Sequence, residues 1–131
     1  RALIAEDDFT SRLMLQKLLA PYGESHVAVD GREALDAFRA ARQKRRPYDL
    51  VCLDIMMPEM DGQSVLREIR TIEEGAGISA GRGAKILMTT ALKDPKNVMT
   101  AFRELCDGYL VKPIDKTKLL KYLKEFGLAE T

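Results

Sequence analysis

Short apolar runs alternate with longer segments of helical periodicity along this sequence, and the alternation constrains the fold more than any other feature. The apolar runs predict five strands, at 3–5, 25–29, 50–53, 85–90 and 108–111. Apolar strands separated by helices are typical of a parallel sheet that is buried on both faces. The sequence therefore predicts an α/β fold, with a five-stranded parallel sheet and helices on both faces.

The segments between the strands repeat apolar residues at intervals of three and four, as amphipathic helices do. They predict five helices, whose buried faces include Leu15, Phe38, Ile69, Phe102 and Leu119. Acidic residues stand where several of these helices would begin, and a carboxylate at that position accepts a hydrogen bond from the first helical turn. Among them, Asp8 suits the cap of the first helix, although it follows an acidic pair at 6–7 and could instead be an acid of a metal site.

Length and charge limit the number of domains and the classes of partner. With 131 residues, of which 46% are apolar, the chain suits one domain over 1–131 with a single core. The 21 basic and 20 acidic residues leave a net charge of +1. This balance argues against direct binding of nucleic acid or of a membrane surface. No apolar run approaches the roughly 20 residues that span a bilayer.

The cysteines and the histidine disfavour a zinc site. Cys52 and Cys106 fit no metal-ligand spacing, and the sequence contains one histidine. Both cysteines are expected to be buried free thiols rather than a disulfide. Free thiols are typical of a reducing compartment, so a cytoplasmic location is expected.

Polar residues follow four of the predicted strands. Glu6 and Asp7 follow the first, Asp54 the third, Thr90 ends the fourth, and Lys112 follows the fifth. In an open parallel sheet, ligands bind beyond the carboxyl ends of the strands, so these side chains are expected to converge. A hard cation such as Mg²⁺ relieves repulsion between carboxylates, and a hydroxyl and an ammonium suit phosphoryl oxygens. Together they predict a phosphoryl-transfer site with Asp54 as the candidate nucleophile.

Four segments, in this order and spacing, carry a family resemblance. They are the acidic pair 6–7, LDIMMPEMDG at 53–62, TTA at 89–91 and YLVKP at 109–113. They resemble the receiver domain of bacterial two-component response regulators over nearly the whole chain. The resemblance implies a flavodoxin-like, doubly wound (βα)5 fold, a single receiver domain over 1–131, and a signalling switch rather than an enzyme.

The resemblance also implies roles for individual residues. Asp54 corresponds to the aspartate that accepts a phosphoryl group from a histidine kinase or a phosphotransfer protein. Asp7 corresponds to a direct Mg²⁺ ligand, Glu6 to a ligand acting largely through water, and the backbone carbonyl of Met56 to a third protein ligand. Lys112 corresponds to the lysine that pairs with a phosphoryl oxygen, followed by a proline after a cis peptide bond.

The resemblance further implies a switch and an output surface. Thr90 corresponds to the switch hydroxyl and Tyr109 to the switch aromatic. Phosphorylation would then alter the surface of the fourth helix, the fifth strand and the fifth helix, where a downstream protein target reads the state. Met56 and Leu92 are apolar where many receivers are polar, which implies a long-lived phosphoryl group.

Two other classes of function stay open on the residues alone. A Mg²⁺-dependent hydrolase with an aspartyl-phosphate intermediate usually carries a DxD pair at its first strand, whereas Asp54 is followed by Ile55 and Met56. A flavodoxin-like cofactor binder needs a phosphate loop after the first strand, where this sequence has acids. The chain is either a stand-alone regulator or a receiver from a longer protein.

Two segments have no place in this scheme. The glycine-rich segment 73–84 is predicted to be an exposed, mobile loop, most simply a tolerated insertion. The basic run RQKRR at 42–46 is predicted to be a solvated helix end, which the helix dipole favours, rather than a nucleic-acid patch.

Overall fold

Five parallel strands form one sheet in the order β2-β1-β3-β4-β5. The computed structural model describes residues 1–79, 81–91 and 105–130. The strands are β1 (Ala2–Ala5), β2 (Ser25–Ala28), β3 (Leu50–Asp54), β4 (Lys85–Thr90) and β5 (Gly108–Val111). The predicted α/β fold and its five strands are confirmed, with ends that differ by one residue at β1, β2 and β3.

Helices cover both faces of the sheet. They are α1 (Phe9–Leu19), α2 (Gly31–Gln43), α3 (Gly62–Gly75) and a last helix (Lys116–Glu125), with a 3₁₀ turn at Ala20–Tyr22. The predicted fourth helix, from 94 to 105, lies almost wholly outside the described residues. Each of the four described α-helices starts after an aspartate whose side chain accepts a backbone N–H, namely Asp8, Asp30, Asp61 and Asp115. The capping interpretation of Asp8 is therefore confirmed.

Alternation along the strands divides the core into two apolar layers. One layer packs strand side chains such as Leu53 and Met88 against α2 and α3. The other packs side chains such as Cys52 and Leu87 against α1 and the last helix. Because successive strand residues point to opposite faces, β1, β3 and β4 contribute to both layers, whereas the edge strands contribute to one each, β2 through Ala28 to the first and β5 through Leu110 to the second. The two layers bury the faces of the sheet, and polar groups lie at its carboxyl edge.

Both cysteines are free thiols, as predicted. Cys52 is buried, and burial raises the pKa of its thiol to about 12. Cys106 is only partly buried, and burial raises the pKa of its thiol as well. Within the described part of the chain, no helix has the length and apolar character needed to cross a membrane.

The glycine-rich segment leads from α3 into β4 and is anchored at both ends. Most of its described residues are exposed, as predicted. The N–H of Ile78 donates to the Glu73 carbonyl at 2.9 Å, and the N–H of Ala84 donates to the Glu73 carboxylate at 2.7 Å. A Cβ on Gly83 would lie 2.2 Å from Glu73 Oε1, so this position has no room for a side chain. These contacts with Glu73 hold both ends of the segment in a defined conformation.

Candidate functional site

Three carboxylates meet at the carboxyl edge of the sheet. The strand order reverses between β1 and β3, which opens a crevice at the ends of these two strands. Glu6 and Asp7 follow β1, and Asp54 is the last residue of β3. One carboxylate oxygen from each of the three lies within 4.8 Å of the others. The topology alone therefore brings together acids that are 48 residues apart in sequence.

Lys112 reaches this cluster from the end of β5. Its Nζ lies 3.2 Å from Asp54 Oδ2, 2.9 Å from Glu6 Oε1 and 2.8 Å from Glu6 Oε2. The backbone N–H of Lys112 donates to the Thr90 carbonyl at 2.7 Å, which fixes the segment that follows β5. The Lys112–Pro113 peptide bond is cis, as the resemblance implied. One ammonium thus compensates two carboxylates.

Burial sets the electrostatics of the cluster. Glu6 is 0% and Asp54 4% exposed. Burial raises the pKa of Asp54, the neighbouring Glu6 carboxylate raises it further, and Lys112 opposes both effects. For Lys112 burial acts to lower the pKa, but the hydrogen bonds and charges of Glu6 and Asp54 outweigh it, so the pKa is raised. The site therefore holds more negative charge than its single ammonium offsets.

The donor set fits a hard divalent cation. Glu6 Oε2 is fully buried and receives no hydrogen bond, although it forms an ion pair with Lys112. Asp7 is exposed and leaves room for water on the open side of the cluster. Carboxylate oxygens with access to water are the ligands that Mg²⁺ prefers. The resemblance implied a Glu6 that acts through water, and the structure adds a direct ion pair between Glu6 and Lys112.

The loop after β3 contributes backbone groups to the site. The N–H of Met56 donates to Asp54 Oδ1 at 3.3 Å, and the Met56 side chain is 69% exposed. A Cβ on Gly62 would lie 2.2 Å from the Asp54 carbonyl, and one on Gly31 would lie 1.7 Å from the Met60 carbonyl. Neither contact is predicted from the sequence. The close backbone contacts of these two glycines hold the loop in place.

The two residues assigned to the switch lie on neighbouring strands. Thr90 is fully buried at the end of β4, whereas Tyr109 on β5 is 37% exposed. Met88 pairs with Tyr109 in the sheet, so by alternation Thr90 and Tyr109 share one face. Thr89 points to the opposite face, and its hydroxyl lies 3.5 Å from the Leu53 carbonyl. Leu92, the second apolar residue expected near the phosphoryl group, lies outside the described residues.

Substitution of Asp54 by asparagine is expected to stabilise the metal-free protein by about 1 kcal/mol at pH 7. The folded pKa of Asp54 is raised, so folding favours the protonated carboxyl. Stability from this group is present below the unfolded pKa and is lost as the pH rises through the folded pKa. Asparagine removes this cost, and Lys112 keeps Glu6 as its partner.

Urea denaturation in EDTA at several pH values measures the effect. The advantage of Asp54→Asn should shrink as the pH falls toward the unfolded pKa of Asp54. Asp36→Asn, an exposed aspartate on α2, serves as the control for removal of one negative charge. An Asp54→Asn protein that is less stable than the parent at pH 7 would contradict the expectation.

Comparison with known proteins places this site in a family context. The family model described as response regulator receiver domain matches residues 2–124. The osmosensing histidine protein kinase SLN1 of Saccharomyces cerevisiae is 28% identical over 131 residues, which are 98% of this chain and 10% of the kinase. Protein CcdB of Bacillus subtilis is 32% identical over 123 residues, 92% of each chain. The chain spans 42 to 48% of several other curated relatives.

One solved structure is similar to this chain in both fold and sequence. The response regulator protein TrrA of Thermotoga maritima, solved in complex with Mg²⁺ and BeF, aligns with a TM-score of 0.76 and 31% identity. The alignment covers 96% of this chain and 97% of that one.

Proposed function

This chain belongs to the response regulator receiver domain family, and on that premise we propose that Asp54 accepts a phosphoryl group and so controls a two-component signalling switch. The observation that supports this most directly is the Lys112 ammonium 3.2 Å from Asp54 Oδ2, beside the Glu6 and Asp7 carboxylates. A buried nucleophile, a positioned cation and a set of oxygen ligands are the parts that phosphoryl transfer needs.

The proposed transfer starts with the ionised carboxylate of Asp54. An oxygen of Asp54 forms a bond to phosphorus, and the bond from phosphorus to the donor imidazole breaks, with the electron pair leaving on the ring nitrogen. The donor is a histidine kinase or a histidine phosphotransfer protein. Lys112 stabilises the charge on the phosphoryl oxygens, since its ammonium already lies at hydrogen-bond distance from Asp54.

Glu6, Asp7 and Asp54, together with the backbone carbonyl of Met56, are the proposed Mg²⁺ ligands. When bound, Mg²⁺ supplies positive charge that offsets the charge on the transferring group. The phosphoryl group carries a charge of about −1.5 to −2, which replaces the single negative charge of the Asp54 carboxylate. Lys112 is placed to offset part of this added negative charge, since its ammonium lies within 3.2 Å of the Glu6 and Asp54 carboxylates.

The output is proposed to pass through Thr90 and Tyr109. These side chains share a face of the sheet, so a hydroxyl drawn toward the phosphoryl group leaves space on the side where Tyr109 lies. Tyr109 also borders a groove of about 400 Å³ between β5 and the last helix, with Val111, Lys118 and Tyr122 among its lining residues. A downstream protein target would read the state at this surface.

The chain is proposed to act as a signalling domain in the cytoplasm, where its two free thiols stay reduced. It assists its own phosphorylation and dephosphorylation but does not turn over a separate substrate. Direct contacts with nucleic acid or membranes are not part of the proposal.

Incubation with acetyl phosphate and Mg²⁺ tests the proposal. Intact-protein mass spectrometry is expected to show one added phosphoryl group per chain, which is absent from Asp54→Asn and retained in Asp36→Asn. Omission of Mg²⁺, with EDTA present, should greatly slow the labelling. Labelling that survives in Asp54→Asn would contradict the assignment, and multiple turnover of p-nitrophenyl phosphate would favour the hydrolase instead.

A further inference from the structure

A second groove lies at the amino edge of the sheet, away from Asp54. It has a volume of about 280 Å³ and is bordered by the end of α2, by Ile78 and residues 82–85, and by residues that follow the last helix. Asp49, immediately before β3, lines it, whereas Asp54 is at the other end of this strand. Five strand residues separate the two edges by roughly 16 Å. The groove is thus distinct from the proposed phosphoryl-transfer site.

The two sequence segments left without a role both contribute to this groove. Arg42, the first residue of the basic run, lines it from the last turn of α2. Arg82 lines it from the glycine-rich segment, where it stands between Gly81, with a φ of 86°, and Gly83, which has no room for a Cβ. The glycines therefore allow the backbone conformation that brings Arg82 to the groove.

The charge along the rim is predominantly positive. Arg42, Arg82 and Lys85 line the groove, and none of them forms a salt bridge with another described residue. Of the two lining acids, Glu73 is already paired with Arg70 at 2.7 Å and with the N–H of Ala84. The other, Asp49, is paired with the terminal ammonium of Arg1 at 2.7 Å, so three cations line a rim whose two carboxylates are already engaged.

The floor of the groove is apolar. Half-buried Ile78, Phe126 and Leu128 line it, above the more deeply buried rings of Phe38 and Tyr48. The volume is at the lower end of the range of roughly 300–1,000 Å³ typical of cofactor and drug-sized sites. It suits one or two apolar side chains of a protein partner.

We propose that this groove binds an acidic segment of a partner protein, with an apolar side chain of that segment inserted between Arg42 and Arg82. Charge complementarity selects the acidic segment, since the rim cations lack described acid partners. The lining disfavours a nucleic acid, because the rings of Phe38 and Tyr48 are only 1% and 6% exposed. The ring of Phe126 already stacks on Tyr122 and lies 5.9 Å from Lys85 Nζ, which leaves little ring face on which a base can stack. The site is independent of phosphorylation at Asp54.

NMR titration of the ¹⁵N-labelled chain tests this proposal with three probes. They are a short synthetic peptide of alternating glutamate and leucine, the same peptide with lysine for glutamate, and a short DNA duplex. The acidic peptide is expected to shift amide signals at 42–49 and 78–85, and the basic peptide to shift neither. The double variant Arg42→Glu/Arg82→Glu should weaken binding of the acidic peptide about tenfold or more.

The matched control is Lys44→Glu/Arg45→Glu, which makes the same charge change in the same basic run but at residues that do not line the groove. It should weaken the affinity much less than the groove pair, since these side chains act on the peptide only through the partly screened field around the groove and not by contact. Arg42→Gln/Arg82→Gln, a milder pair, repeats the test if the charge reversal lowers the melting temperature. Acetyl phosphate labelling of Asp54 should be unchanged in every variant.

Three results would overturn the proposal. They are a lack of localised shifts with the acidic peptide at millimolar concentration, equal weakening by the groove and control pairs, and tighter binding of the DNA duplex to the same residues. Failure of Asp54 labelling in the parent protein would concern the proposed function alone.

Discussion

Phosphorylation of Asp54 by acetyl phosphate is expected to slow by about 10²–10³-fold when Lys112 is replaced by alanine. Nζ of Lys112 lies 3.2 Å from Asp54 Oδ2, so it is placed to stabilise charge on a phosphoryl group that arrives at this oxygen. Lys112 also supplies both effects that lower the pKa of Asp54, its charge and its hydrogen bond, so without it less of the nucleophilic carboxylate form is present before Mg²⁺ binds. Both consequences act in the same direction on the rate.

The rate is measured by intact-protein mass spectrometry at fixed acetyl phosphate and Mg²⁺ concentrations. Lys116→Ala removes the same charge from an exposed position at the start of the last helix and should leave the rate unchanged. Because Glu6 is fully buried and pairs with Lys112, circular dichroism must first show that Lys112→Ala is folded at the assay temperature. A folded Lys112→Ala protein that is labelled at the parent rate would contradict the proposed role.

The strands and most helix starts follow from local patterns in the sequence. Leu50 to Leu53 form an uninterrupted apolar run that ends at a charge, and an apolar run of this length suits a strand buried on both faces. Asp30 and Asp61 precede helical periodicity, and each accepts an N–H from the first turn of its helix. Because the sheet is parallel, the strand ends also predict which polar groups meet at one edge. Such features depend on neighbours along the chain, which the sequence displays directly.

Contacts between segments that are distant in sequence could not be predicted from these local patterns. The sequence does not show that Gly31 touches the Met60 carbonyl, because this contact depends on how α2 packs beside the loop after β3. Glu73 belongs to a charged, glycine-rich stretch that is typical of a solvated loop, yet it is only 4% exposed. Its burial follows from a partner on the same helix, Arg70, and from a backbone N–H eleven residues away.

Arg70→Met is expected to destabilise the protein by about 3–5 kcal/mol, since it leaves a buried carboxylate without its cation. Arg70 lies on α3, and its guanidinium joins three segments at the amino edge of the sheet. Nη1 donates to Glu73 Oε1 at 2.7 Å and to the Ala84 carbonyl at 2.9 Å, Nε to the Leu105 carbonyl at 2.8 Å, and Nη2 to Asp107 at 3.0 Å. Methionine keeps much of the side-chain volume but makes none of these bonds.

Urea denaturation measures the effect, and the chain offers a matched control in Arg39→Met. Arg39 lies 3.9 Å from Glu68, and both side chains are nearly half exposed, so loss of this pair should cost about 0–1 kcal/mol. The double variant Arg70→Met/Glu73→Gln should recover part of the lost stability, because the neutral amide no longer carries a buried charge while its oxygen still accepts the N–H of Ala84. If Arg70→Met lowers the free energy of unfolding no more than Arg39→Met does, the hydrogen bonds and ion pairs of Arg70 contribute no more than an exposed ion pair. If the double variant recovers nothing, the cost lies in the lost carbonyl contacts at Ala84 and Leu105 rather than in the charge of Glu73.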